Sequence, residues 1–262
     1  MNTDQTLIGV AFAKTIPDTP TSTPYRNPDA STQAVDSISV IMPEVVNQSD
    51  EAGGTDITSY HLEWKQPTDV DFQDIIGGNS GDNLNRVISV STTPGEEYSF
   101  RYRIRNVFGW SASYSGTVTI LSATVPATPV AATTAIAGSF VRVSWVKPAE
   151  NSSPIVSYDV KIKAKDGTMK NELGSCDGSD ATIREARDCL IPLTTLIGAE
   201  FNLVQGDLVE VAILATNSIG SSAYSPLNTD GAMVETIPQA PASLTRNAAT
   251  SFSQVSVDWV LL

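Results

Sequence analysis

Histidine is almost absent from this chain: His61 is the only one in 262 residues. That removes the side chain most used for acid–base chemistry and for metal ligation. No partners around His61 identify a nucleophilic triad. We therefore expect no catalytic residues, no cofactor-binding residues and no metal ligands, hence no enzyme. Basic side chains are also scarce, with 16 Lys and Arg against 29 Asp and Glu and a net charge of −13. Nucleic-acid binding depends on neutralising phosphates with cations, so that partner class is excluded. Anionic membrane surfaces are disfavoured for the same reason. No apolar run approaches the ~20 residues of a membrane-spanning helix, so no membrane insertion is expected within this segment. The opening Asn2–Thr6 carries no Lys or Arg and is not expected to act as a secretory signal. Cysteine is limited to Cys176 and Cys189, a spacing that fits neither a C-x-x-C redox pair nor a four-ligand zinc site. Helical periodicity sustained over several turns is missing as well.

What is present is a repeat. The stretch Val125-Pro126-Ala127-Thr128-Pro129 has sister copies at Ile16-Pro17-Asp18-Thr19-Pro20 and Ile237-Pro238-Gln239-Ala240-Pro241. Each proline fixes φ and drives its predecessor toward extended geometry, so these stretches resist helix and central strand alike. The first prolines lie 109 and 112 positions apart, about the size of one small domain. The expected division is thus 16–124 and 125–236 as whole modules. Residues 1–15 are expected to supply the last strand of a preceding module, and 237–262 to open a further one. Pro17, Pro20, Pro126, Pro129, Pro238 and Pro241 are the expected inter-module hinges.

Between the proline stretches the apolar residues alternate with period two, as half-buried strands do. Ile38 and Val40, then Tyr60, Leu62 and Trp64, then Tyr98, Phe100, Tyr102 and Ile104 form this pattern in the first module. Val141, Val143 and Trp145, then Tyr158, Val160 and Ile162, then Val209, Val211, Ile213 and Ala215 form it in the second. Val255, Val257 and Trp259 start it again in the third. This order, closing with Asn-x-x-Gly-x-Ser after the late strand, resembles a fibronectin type III domain across nearly the whole chain. The resemblance implies an all-β fold of tandem immunoglobulin-like sandwiches, with Tyr98 at the family's tyrosine corner. Val209 stands where the second module's corner tyrosine belongs, and Val40 or Ile41 replaces the early-strand tryptophan of the first.

Several residues are candidates for function. Cys176 and Cys189 lie inside one module and are expected to form a disulfide, which places the protein in an oxidising compartment. Asn47-Gln48-Ser49 and Asn151-Ser152-Ser153 are sequons on corresponding loops, so Asn47 and Asn151 are expected N-glycan acceptors. Arg101, Arg103 and Arg105 share one strand face, and Arg101 and Arg103 are expected to stack with Trp110 and Tyr114. The segment Trp110–Ser115 loosely resembles the Trp-Ser box of cytokine receptors. Asp69–Asp74 reads as a solvated acidic loop, with calcium binding left open, and Gly77–Asp82 reads as a hairpin loop. His61 is expected to point outward from its strand. The sum is a non-enzymatic, extracellular or cell-surface structural or adhesive protein, a stretch of a repeat array forming a filament or cell-coat fibre. Its partners are neighbouring modules, other copies of the chain and attached glycans. The alternatives are a ligand-binding receptor or adhesin ectodomain, and spacer domains of an extracellular enzyme.

Overall fold

The computed structural model describes residues 13–29, 33–236, 243–249, 253 and 256–260. The chain divides into two compact units. One is Met1–Thr128 with Pro148–Val156 and Ala215–Ala223; the other is Pro129–Lys147 with Ser157–Leu214 and Tyr224–Leu262. Residues 1–12 and the third proline pair, Pro238 and Pro241, lie outside the described residues, as do the expectations placed on them.

The first unit holds a complete sandwich. One sheet orders β1 (Tyr25–Arg26), β2 (Ser37–Ile41) and β5 (Val87–Ser91). The other orders β4 (Gln73–Ile76), β3 (Ser59–Lys65), β6 (Glu97–Asn106) and β7 (Gly109–Trp110), with β8 (Val118–Leu121) continuing beside β6. All described pairings are antiparallel. The short β4 pairs with β3 and not with β5, which is the strand order of a fibronectin type III-like sandwich. Ile38 and Val40 from one sheet and Leu62, Phe100, Tyr102 and Ile104 from the other meet in a single buried cluster. Period-two alternation produces this, since each second residue of a strand faces the opposing sheet. Tyr98 forms the corner: its hydroxyl accepts from the Thr93 backbone N–H at 2.8 Å. Val40 is fully buried, and the tryptophan packed against this core sits instead on β3, where Trp64 stacks on Tyr98 at 5.4 Å.

The second sandwich repeats the plan with β9 (Thr133–Ala137), β10 (Phe140–Ser144) and β13 (Asp188–Pro192) in one sheet. Its other sheet comprises β12 (Met169–Asn171), β11 (Ile155–Lys163) and β14 (Val211–Asn217). Trp145 meets Tyr158 edge to face at 5.3 Å, joining the two layers. Val209 is buried and cannot make a tyrosine corner. Thr134 and Asn228 take over: both donate to the Val209 carbonyl, and Asn228 Oδ1 accepts from Val211 N–H at 2.7 Å. β15 (Ser243–Arg246) and β16 (Val257–Val260) pair antiparallel beyond it.

Two short helices accompany the strands, α1 (Ala181–Ala186) and α2 (Leu193–Ile197), and one expectation about local structure changes. The first is started by Asp180, whose carboxylate accepts from Thr182 and Ile183 N–H groups. It ends at Arg187, which has a left-handed φ of 58°. Gly77–Asp82 is not a hairpin loop, because β4 and β5 on either side of it belong to different sheets.

Candidate functional site

The exposed face of β3 and β6 is roofed by aromatic rings interleaved with guanidinium groups. Because β6 alternates, Phe100, Tyr102 and Ile104 turn inward, and Arg101, Arg103 and Arg105 share the outer face. Arg101 lies 4.0 Å from the Phe72 ring centre and 4.1 Å from that of Tyr114. Arg103 lies 4.8 Å from both Tyr114 and Trp110, and Arg105 5.8 Å from Trp110. The order Phe72, Arg101, Tyr114, Arg103, Trp110, Arg105 is therefore a ladder of cation–π contacts. Two of the three guanidinium charges are also paired with carboxylates. Arg101 donates twice to Glu63 Oε2, at 2.9 and 2.7 Å, and Arg105 donates to Asp82 at 2.8 Å. The aromatic residues are held by an irregular strand. Ser115 donates its backbone N–H to the Tyr102 carbonyl, and its hydroxyl accepts from Tyr102 N–H at 3.1 Å.

Under this roof lies His61, which is 4% exposed. Its expected outward direction along β3 is correct, but the rings of Trp110 and Tyr114 cover it at 5.6 and 5.7 Å, so it does not reach solvent. Its Nδ1 accepts from Arg103 Nε at 3.0 Å, and its Nε2 lies 2.9 Å from Asp74 Oδ1. This is the arrangement of a neutral ring protonated at Nε2. Burial lowers its pKa, Glu63 and Asp74 oppose that, and Arg103 adds to it; the balance is downward. Tyr114 donates to Glu63 Oε1 at 2.6 Å, and burial together with that bond pushes its pKa up to about 12. The Gly-rich loop closes the site: a Cβ on Gly78 would fall 2.4 Å from His61 Nε2 and 2.7 Å from Asp74 Oδ1. Glu63, Phe72, Asp74 and Gly78 were not anticipated as parts of one site. They come from β3 and from the stretch around β4, and the pairing of those two strands brings them together.

The second sandwich carries little of this. Counting back from Asn217 as from Asn106, the places of the three arginines are taken by Ala212, Leu214 and Thr216. Tyr224 remains, bonded to Asp159, with Lys161 Nζ 5.3 Å from its ring centre.

A second arrangement occurs twice. Pro17, Pro20, Pro126 and Pro129 are buried. In the first copy Thr15 N–H donates to Gly53 O and Asp18 N–H to Glu51 O. In the second, Thr124 N–H donates to Asn151 O and Ala127 N–H to Ala149 O. An asparagine grips each copy from the last position of the late strand. Asn106 Nδ2 donates to Thr15 O at 2.6 Å and Ala52 O at 3.0 Å. Asn217 Nδ2 donates to Thr124 O at 2.8 Å, with Glu150 O and Ser153 O at 3.1 and 3.3 Å. These asparagines are 1% and 3% exposed. The proline segments are thus strapped onto a sandwich and are not open linkers. The Asn of Asn-x-x-Gly was visible in the sequence; its grip on the proline stretch was not.

Cys176 and Cys189 are disulfide-bonded and both buried. Asn47 is exposed, with Oδ1 accepting from Ile57 N–H at 2.9 Å. Asn151 is half-buried, and its Nδ2 donates to Val125 O at 2.7 Å. The acidic loop does not converge. Asp69 accepts from Gln66 N–H, whereas Asp74 turns to His61, Asn79 and Ser80.

Neither a protein-family model nor a curated protein matches the chain. Among solved structures it is similar to the chicken CNTN1 FN1-FN3 domains. That similarity has 14% sequence identity and a TM-score of 0.44, and covers 82% of this chain and 67% of that one. The fold assignment rests on strand order and pairing in the molecule itself. Among the described residues no helix is long and apolar enough to cross a membrane.

Proposed function

We propose that this chain is a non-enzymatic structural segment of an extracellular or cell-surface array of fibronectin type III-like modules. Residues 16–124 and 125–236 are one module each, and 1–15 and 237–262 belong to their neighbours in the series. The observation that carries this reading is the repeated strap. The same proline stretch is gripped by the same asparagine at the entrance of both sandwiches, so the entry to a module is a built part. A strapped entry shortens the free linker, which limits bending and suits a chain that sets spacing or bears load. The buried disulfide supports an oxidising location. We assign the array to a surface filament or cell-coat fibre made of many copies. Sedimentation velocity over a rising concentration series tests this. Reversible growth beyond the monomer is expected, and a single monomeric boundary at every concentration would overturn the filament assignment.

A second reading has one observation in its favour. The arginine–aromatic ladder belongs to the first sandwich alone, as a specialised face does in a ligand-binding ectodomain. A chain that stays monomeric supports that reading.

A further inference from the structure

The two sequons occupy corresponding loops, yet the structure treats their asparagines in opposite ways. Asn47 sits on an exposed turn. Its Oδ1 is engaged by Ile57 N–H, and its Nδ2 has no hydrogen-bond partner among the described residues. Asn151 is built into the strap. It occupies the position of Gly53 in the first sandwich: Gly53 O accepts from Thr15 N–H, and Asn151 O accepts from Thr124 N–H. Both residues have left-handed backbone, with φ of 68° and 52°. Asparagine tolerates that conformation better than other residues bearing a Cβ. Its Nδ2, the atom that a glycan would occupy, is committed to Val125 O at 2.7 Å. The hydroxyl of the same sequon is also enclosed: Ser153 is 2% exposed and its Oγ lies 2.8 Å from Ser218 Oγ.

We infer that Asn47 is the N-glycan acceptor of this chain and that Asn151 is a structural asparagine that stays unmodified. The inference rests on the extracellular reading above. In the transfer, Asn47 Nδ2 bonds to the anomeric carbon of an oligosaccharide carried on a polyprenyl diphosphate. The anomeric C–O bond breaks, the diphosphate leaves with its electron pair, and the amide nitrogen gives up one proton. The same bond at Asn151 would require withdrawing Nδ2 from the entry segment, so a chain glycosylated there would enter the second sandwich without that contact.

The test is expression of the full chain through the secretory pathway of a cell that makes N-glycans. Glycopeptides are mapped, and intact mass is measured before and after peptide-N-glycosidase treatment. One glycan per chain is expected, at Asn47. Asn47→Gln should abolish the mass shift and Asn151→Gln should leave it unchanged. A glycan on Asn151 overturns the inference. So does a bare Asn47 in secreted material whose Cys176–Cys189 bridge has formed, and that outcome leaves the extracellular reading standing. Failure to form the bridge in the same material counts against the reading itself.

Discussion

Protonation of His61 turns an accepting nitrogen into a donor directly opposite another donor, Arg103 Nε at 3.0 Å. The groups facing the ring are Glu63 on its own strand, Asp74 on β4, Arg103 on β6 and Tyr114 beyond β7. Its folded pKa lies below the ordinary value, because burial outweighs the two carboxylates. A depressed histidine binds its proton more readily in the unfolded chain. Its contribution is therefore complete above the ordinary histidine value of about 6.5 and is lost as pH falls from there through the folded value. We expect the first sandwich to lose stability between pH 7 and 5, and His61→Gln to flatten that slope in urea titrations. Equal slopes in parent and variant would remove His61 as the cause. Arg101→Ala is a separate test, because it removes both hydrogen bonds at Glu63 Oε2, leaving that carboxylate with Tyr114, and deletes two ring contacts. Losing charge-assisted hydrogen bonds in a partly buried pair of this kind costs about 1.5–3 kcal/mol, and a loss under about 0.5 kcal/mol, within the range of exposed ion pairs, would show the ladder to be ornamental.

The straps make a prediction about whole segments. Asn217→Ala leaves three carbonyls without their shared donor, at a cost of about 1–3 kcal/mol for lost hydrogen bonding. The amides of Thr124 and Ala127, which donate to Asn151 and Ala149, should then exchange hydrogen at least tenfold faster. Unchanged protection at those two amides would mean that the prolines alone hold the segment. How far such features were legible in the sequence depends on their range. β2, β3, β6, β10, β11 and β14 were readable from period-two alternation, because burial on one face writes itself into each second residue. α1 and α2, at six and five residues, are too short to show a helical period. The irregular segment after Trp110 was hidden because a side chain, the Ser115 hydroxyl, takes over a backbone role. His61 illustrates the remaining limit. Alternation correctly gave its direction, but the roof above it comes from residues 110–114 and the seal from Gly78, and period two carries no information about either.

At the scale of the molecule, the two sandwiches differ in what protects them, and that difference separates their stabilities. The first owns the buried histidine, the ladder and the cluster running from Ile38 to Ile120. The second owns the disulfide and has alanine, leucine and threonine in place of the arginines. Acid therefore acts on the first through His61, while reductant acts on the second by releasing the Cys176–Cys189 loop, a change worth about 3 kcal/mol in the chain-entropy model. If each core folds on its own, calorimetry of the full chain should show two transitions that move independently. Lowering the pH from 7 to 5 should shift one transition, and reducing the disulfide at pH 7 should shift the other by several degrees. Cys176→Ser with Cys189→Ser should reproduce the reductant's effect without reductant. A single transition displaced by both treatments would mean that the sandwiches unfold as one cooperative body, contrary to modules that fold on separate cores.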